Sequence, residues 1–290
     1  MEKTISVVIV TYNSLDLIEE CIKSLFKYND IGNDLEIIVV DNSSEIVSNK
    51  MFDFIKLKFG DDIKLIHNPK NGGYGAGNNL GILNSSGKYI CIMNPDVRLI
   101  EPVFKEAIFK FKKNTNLAML GMKQIGGQNL SVYFRPEKYL PFFNIFTKIF
   151  NKLNIYLKSK MFLSGAFVFL RKEDIIEIGL YDENIFLYNE EADITNRFLN
   201  NSKNILFYPT LRYLHEIGDR SEISDFSQNI WLDSRVYYFN KFSFNLNSYL
   251  NILLIELKLK IIYFSLINNK DQVKVNKVLL EKIKNLYTRK

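Results

Sequence analysis

Only two cysteines, Cys21 and Cys91, occur among the 290 residues, both inside apolar patterns rather than beside basic side chains that would favour a thiolate. A disulfide framework is excluded, a cysteine nucleophile is disfavoured, and a reducing cytosol fits best. No stretch is rich enough in Pro, Ser or Gly to read as a linker, and no internal repeat is visible. The apolar run at 5–10 is too short for a signal-peptide core and leads into Thr11-Tyr12-Asn13, so it reads as a strand. Residues 250–267 are apolar, but Glu256, Lys258 and Lys260 interrupt them, and each charge is costly in hydrocarbon. A spanning helix is not expected. Neither G-x-x-x-x-G-K-[ST] nor a good dinucleotide fingerprint is present, which leaves ATP and NAD poorly supported.

What is present favours one α/β body with a tail. The chain is 47% hydrophobic and 14% aromatic, enough for a sizeable core. In the first hundred residues, β-branched runs at 5–10, 36–40, 64–67 and 88–93 alternate with amphipathic segments, the signature of βαβ units and a mostly parallel sheet. Leu15, Ile18, Ile22, Leu25 and Phe26 recur at helical spacing behind Ser14, a candidate N-cap. Further on, the spacing predicts a helix over 103–113, a strand over 117–121 and a hairpin turn at Gly126-Gly127.

Charge is unevenly spread. The net charge is +6, and ten basic against three acidic residues from 241 to 290 leave that end at +7 and the remainder near neutral. Residues 138–160 carry Phe142, Phe146, Ile149 and Leu153 at helical spacing with five lysines and no acid, as a membrane-surface helix does. An ordinary helix covering the sheet fits equally.

Polar groups gather where predicted strands end, the place at which open α/β sheets bind ligands. Thr11-Tyr12-Asn13 ends the first strand and Asp41-Asn42-Ser43-Ser44 the second, with Asp41 able to accept from a ribose hydroxyl or a base N–H. The Gly-rich run Asn71 to Gly81 follows the third strand and opens a helix, so its backbone could approach a ligand closely. The fourth strand stops at Asn94-Pro95-Asp96, since proline cannot continue the ladder, and this presents Asp96 at the sheet edge. One carboxylate leaves Mg²⁺ or Mn²⁺ held mainly by water and substrate phosphates.

These segments, in this order, resemble family 2 glycosyltransferases of the GT-A fold, and within them the bacterial rhamnosyltransferase-like branch. The likeness runs from about residue 4 to 240 through Ser164-Gly165-Ala166, Phe186 to Asp193, and His215-Glu216-Ile217-Gly218-Asp219-Arg220-Ser221. It implies a GT-A domain over 1–240, with a nucleotide-sugar half (1–100) and an acceptor and catalytic half (101–240), followed by a basic, apolar helical extension (241–290).

It further implies an inverting transfer from a nucleotide diphosphate sugar, with dTDP-rhamnose favoured, to a saccharide or lipid-linked acceptor in O-antigen or capsule synthesis. Thr11, Tyr12, Asn13, Asp41, Asn42, Gly73, Tyr74, Asn78, Asn79, Asn94, Gly165, Ala166 and Arg220 would hold the donor. Asp96 matches the last acid of the family's Asp-x-Asp, Asn94 replacing the first, and His215 matches a histidine that completes the metal site in several relatives. Neutral imidazole suits Mn²⁺ better than Mg²⁺. Glu191 stands where relatives usually carry a catalytic Asp, with Glu190 and Asp193 as alternatives, and the helix dipole favours ionised acids there.

His67 carries no motif and reads as structural, and Trp231 as core packing or an acceptor stack. A cytoplasmic protein peripheral on the anionic inner membrane face is expected. No nucleic-acid partner is expected, whereas self-association through the C-terminal region is. Rival readings are another donor such as a UDP-hexose, a nucleotidyltransferase on a related fold, and a non-catalytic nucleotide-sugar or glycan binder.

Overall fold

A computed structural model describes residues 3–141, 143–216 and 225–288. The elements, in chain order, are β1 (Ile5–Thr11), α1 (Leu15–Lys27), β2 (Leu35–Asp41), α2 (Glu45–Phe59), β3 (Ile63–His67), α3 (Gly73–Leu83), β4 (Tyr89–Met93), β5 (Val97–Leu99) and α4 (Phe104–Lys113). There follow β6 (Leu117–Ile125), β7 (Val132–Phe134), α5 (Phe143–Lys152), β8 (Met161–Leu163), β9 (Phe167–Arg171), α6 (Lys172–Glu177), α7 (Glu190–Asn200), β10 (Asn204–His215), α8 (Asp225–Lys241), α9 (Leu246–Leu266) and α10 (Lys270–Thr288).

Eight strands form one sheet in the order β3-β2-β1-β4-β9-β6-β10-β5, with β9 and β5 running against the other six. Residues 5–11 of β1 are buried on both faces, as a central parallel strand between helical layers requires. One face packs on α1, through Ile18, Cys21, Ile22 and Leu25, and on α4, through Phe104, Ala107 and Phe111. The expected mostly parallel α/β sheet is therefore present.

Burial drives the Cys21 thiol up to about 12, and Cys91, also buried, well above its ordinary value, so neither serves as a thiolate near neutral pH.

Three expectations are corrected. Gly126-Gly127 turns the chain without making the expected hairpin, because β7 pairs with β8 rather than β6. The helix expected over 138–160 shortens to α5, which starts after Pro141 and is followed at Asn154 by a left-handed residue. Ser14 occupies the cap position of α1, but its hydroxyl donates back to the Tyr12 carbonyl at 2.9 Å and caps nothing. Helices α8, α9 and α10 share one apolar cluster with Ala192.

Helix α3 is a poor helix by composition, with four glycines in eleven residues. Its glycines are required by packing. A Cβ on Gly81 would lie 2.3 Å from Val8 Cγ1, and one on Gly77 2.7 Å from Val10 Cγ1. Because β1 cannot retreat from a filled interior, Gly81→Ala should destabilise the fold by about 1–3 kcal/mol, read as a lower midpoint in urea with unchanged slope. An unshifted midpoint would show that α3 can slide.

Candidate active site

Parallel pairing of β1 with β2 brings Thr11 opposite Asp41. Asp41 is wholly buried, and its carboxylate accepts from the hydroxyls of Thr11 (2.8 Å), Ser43 (2.9 Å) and Ser48 (2.5 Å). Those three hydroxyls take three of the carboxylate's roughly four acceptor sites, two on Oδ1 and one on Oδ2, so Asp41 organises the loop. Ser43 in turn accepts from the N–H of Asn13, which sits at φ +51°, while Tyr12 beside it is 57% exposed. Tyr12 and Asn13 thus form the open lip of the crevice. His67 Nε2 lies 3.1 Å from the Ser43 carbonyl, a structural contact.

The Gly-rich segment is used differently from the expectation. Gly73, at φ +90°, lies so close to residue 186 that a Cβ would stand 2.0 Å from the Phe186 carbonyl oxygen, and the Tyr74 N–H donates to that oxygen at 3.1 Å. The Asn42 amide donates to the Gly73 carbonyl and accepts from Asn68. Asn79 donates to the Tyr181 carbonyl and to Glu183, and accepts from the Tyr181 N–H. Asn78 is buried and donates to the Tyr74 carbonyl. Asn42 and Asn79 therefore tie α3 to its neighbours, Asn78 bonds within the helix, and the glycines seat the helix against β1 and residue 186.

Tyr74 is the exception, reaching across the crevice. Its hydroxyl lies 3.1 Å from Asn94 Oδ1 and 2.9 Å from the Gly165 carbonyl. Antiparallel pairing of Met93 with Phe167 explains why these turns meet, and the Asn94 N–H donates to the Ala166 carbonyl at 2.9 Å.

The acidic pair heads α7. Tyr188 and Asn189, at φ +70° and +76°, are consecutive left-handed residues just before it. Such backbone costs about 1–3 kcal/mol per residue, and it concentrates at functional sites. Glu191 lodges against Gly165, where a Cβ would stand only 2.4 Å from Glu191 Oε1. Burial raises the Glu191 carboxyl, and the N–H groups of Glu191 itself and of Gly165 pull it part of the way back.

Glu190 is driven well above its ordinary value by burial and then by the charge of Glu191. Its Oε1 has no hydrogen-bond partner among the described residues. Tyr74, Tyr133 and Tyr181 each feel the Glu191 charge, and Tyr133 is pushed up to about 12 by burial and that charge together.

Asp193 is removed from the candidate bases. It is fully buried, with Oδ2 held by Arg197 Nε at 2.7 Å and Oδ1 by Lys241 Nζ at 2.5 Å. A buried carboxylate pinned between two cations cannot swing toward an acceptor. These contacts, with the Asn196 amide on the Tyr238 hydroxyl, fasten α7 to α8. Trp231 packs against the helical cluster, and the Arg235 guanidinium lies 5.2 Å from its ring.

At the far end of the crevice, β5 and β10 pair antiparallel with His215 opposite Val97. This brings His215 Nε2 to 3.1 Å from Asp96 Oδ1, two residues 119 apart in sequence. His215 Nδ1 is buried with no hydrogen-bond partner among the described residues. No group of three His, Cys, Asp or Glu that could hold a metal converges among the described residues. One oxygen and one nitrogen nonetheless suit a hard divalent ion that completes its shell with phosphate and water.

Sequence reasoning missed Arg98. It is buried beside this pair, donating to the Pro95 carbonyl at 2.7 Å and pairing with Glu216 at 3.1 Å. Arg220 lies outside the described residues.

Known proteins resemble this chain in sequence and in fold. A hexosyltransferase of low-salt glycan biosynthesis, Agl10 of Haloferax volcanii, is 26% identical over 238 residues, 80% of this chain and 73% of that protein. A poly(ribitol-phosphate) β-glucosyltransferase of Bacillus spizizenii is 33% identical over 131 residues, 43% of this chain but 20% of that one.

Among solved structures, GalNAc-T7 with UDP, GalNAc and Mn²⁺ superposes with a TM-score of 0.60 at 16% identity, covering 80% of this chain and 47% of that one. S. aureus TarS 1–349 with UDP gives 0.56 at 15% identity, covering 99% and 91%. Both share the GT-A fold. Residues 6–179, more than half of the chain, match the family described as Glycosyl transferase family 2, and to that family this protein belongs.

Proposed function

We propose an inverting transfer of a sugar from a pyrimidine nucleoside diphosphate to a hydroxyl of a saccharide or lipid-linked saccharide, with Glu191 as general base. The observation that carries this reading is the seat of Glu191. Its carboxylate accepts backbone N–H at Gly165 and is ringed by tyrosines, while burial and the charge of Glu191 drive Glu190 beside it well above its ordinary value. A base whose carboxyl is raised toward neutrality is better matched to a sugar hydroxyl than an exposed acid would be. Of the two acids, Glu190 is raised by burial and by the charge of Glu191, whereas the N–H groups of Glu191 itself and of Gly165 temper the rise at Glu191.

The nucleoside enters over Tyr12 and Asn13, in a crevice shaped by Thr11, Asp41 and Asn42. Gly73, Tyr74, Asn78 and Asn79 hold the wall beside it, and Asn94, Gly165 and Ala166 border the sugar. Arg220 is a diphosphate partner on motif grounds alone. Asp96 and His215 would hold Mn²⁺ or Mg²⁺, which neutralises negative charge growing on the leaving diphosphate. On the opposite face of the anomeric carbon, Glu191 takes the acceptor's proton as its oxygen attacks, and the configuration inverts.

For the donor, the branch resemblance supports dTDP-rhamnose and a role in O-antigen or capsule synthesis. UDP in two fold relatives, and relatives named hexosyl- and glucosyltransferase, support a UDP-hexose. Thymine and uracil share the N3–H donor and flanking carbonyls, so one lip accommodates either base.

A thermal-shift panel of dTDP-rhamnose and UDP-hexoses, with Mn²⁺, decides, since a ligand at 100 times its Kd stabilises by about 2.7 kcal/mol. The donor so found should be turned over with Mn²⁺, and Asp96→Ala should lose the Mn²⁺-stimulated part. Stabilisation without turnover on any acceptor would favour the non-catalytic reading, and unchanged Mn²⁺ response in Asp96→Ala would overturn the metal site.

A further inference from the structure

Two neighbouring helices carry apolar faces that nothing covers among the described residues. Helix α5 turns Phe143, Thr147 and Asn151 inward, while Ile145, Phe146, Ile149 and Leu153 lie along the opposite side, with Ile145 58% and Leu153 60% exposed. Helix α9 buries Leu250, Leu253 and Leu257 and leaves Ile255, Leu259, Ile262 and Leu266 outside, with Leu266 79% exposed. Their spacing of four, three and four residues makes one stripe along the helix. Tyr139 joins the two elements. Its ring lies 5.4 Å from Phe143 and 5.3 Å from Tyr249, and its hydroxyl donates to Glu256.

The charge around these faces is of one sign. No acid occurs from 138 to 160, and Lys138, Lys148, Lys152 and Lys160 are exposed there. Lys148 and Lys152 stand one helical turn apart, flanking the apolar side of α5. On α9, Lys258 is exposed, and the helix's single carboxylate, Glu256, is buried and paired with Lys260 at 2.5 Å. No described helix is long and apolar enough to cross a membrane. A short apolar stripe bordered by lysines instead suits the plane of an interface, where the side chains enter the acyl boundary and the ammonium groups meet anionic headgroups. Pairing with a second copy would set these lysines against their own equivalents.

We infer that α5 and the outer side of α9 form a docking surface for an anionic lipid bilayer. This deepens the lipid-linked acceptor proposed above, and as a route for that acceptor it rests on that reading.

The test is flotation of the full chain with phosphatidylcholine vesicles, with and without one quarter phosphatidylglycerol, at low and high salt. Binding is expected only with phosphatidylglycerol and to fall with salt. Each lysine near such a surface strengthens binding roughly fivefold, so K148E/K152E should weaken partitioning at least about 25-fold. F146S/I149S, which alters only exposed positions, should weaken it at least about tenfold.

Equal binding to neutral vesicles, no binding at all, or either variant floating like the wild type would overturn the surface. So would sedimentation showing a wild-type dimer that F146S/I149S converts to monomer. Donor turnover without vesicles should be the same in all three proteins. Loss of the transferase reading would appear there, and loss of the docking surface would appear in flotation.

Discussion

Glu191→Gln is expected to lower kcat by about 10²–10⁴-fold, the usual contribution of a positioned general base, with donor KM and melting temperature little changed. Glutamine preserves the length of the side chain and can still accept the Gly165 N–H, so the seat survives while the proton acceptor is lost. The pH dependence follows from the same surroundings. Burial raises the Glu191 carboxyl above its ordinary value of 4.5, and only the ionised form takes a proton. The acid limb of kcat/KM should therefore lie above 4.5, with activity rising as pH passes through it and the limb absent from the residual activity of Glu191→Gln.

Glu190→Gln is the control. Burial and then the charge of Glu191 drive the Glu190 carboxyl well above its ordinary value and so favour its neutral form, and a neutral amide there should leave most turnover intact. The same two variants also test the assignment in the other direction. If Glu190→Gln abolished transfer and Glu191→Gln did not, the base would be Glu190 and the crevice would have to open by a different movement of α7.

Much of this site could be read along the chain because each part is local. The strand runs at 5–10, 36–40, 64–67 and 88–93 are close to β1, β2, β3 and β4, and Glu190 does begin α7. What escaped is what the fold assembles from a distance. Asp193 looks like any acid in a first helical turn until Lys241, 48 residues on, closes over it. The glycines of α3 look like ligand-binding glycines, yet Val8, Val10 and Phe186 are the groups they admit.

Arg98 has no pattern of its own, and its place follows from the pairing of β5 with β10. The hairpin expected at Gly126-Gly127 failed for the same reason: turn chemistry bends the chain but does not choose its partner, and β8 supplied the better one. The left-handed pair Tyr188-Asn189 gives no sequence signal beyond the Asn, since tyrosine rarely adopts that backbone.

Gly165→Ala should lower kcat about 10²-fold, as does a displacement of a reacting group by about 1 Å. A methyl there would stand 2.4 Å from Glu191 Oε1, 2.9 Å from Cγ and 3.0 Å from Cδ, so the side chain has to move from Cγ outward. The carboxylate must leave its place, and with it the N–H of Gly165 that tempers its burial. A shorter acid at this position makes the decisive experiment.

Glu191→Asp alone withdraws the carboxylate by one methylene and should itself be slow in this chain. In the Gly165→Ala background, however, the same shortening vacates the space that the new methyl needs. The double variant should therefore lose far less than the product of the two single losses, the signature of residues that share one steric contact. Strict multiplication of the losses would mean that Gly165 acts on the donor sugar and not on the base. Comparing kcat with donor KM in the four proteins separates these outcomes, because misplacing the base lowers kcat, whereas crowding the donor raises KM.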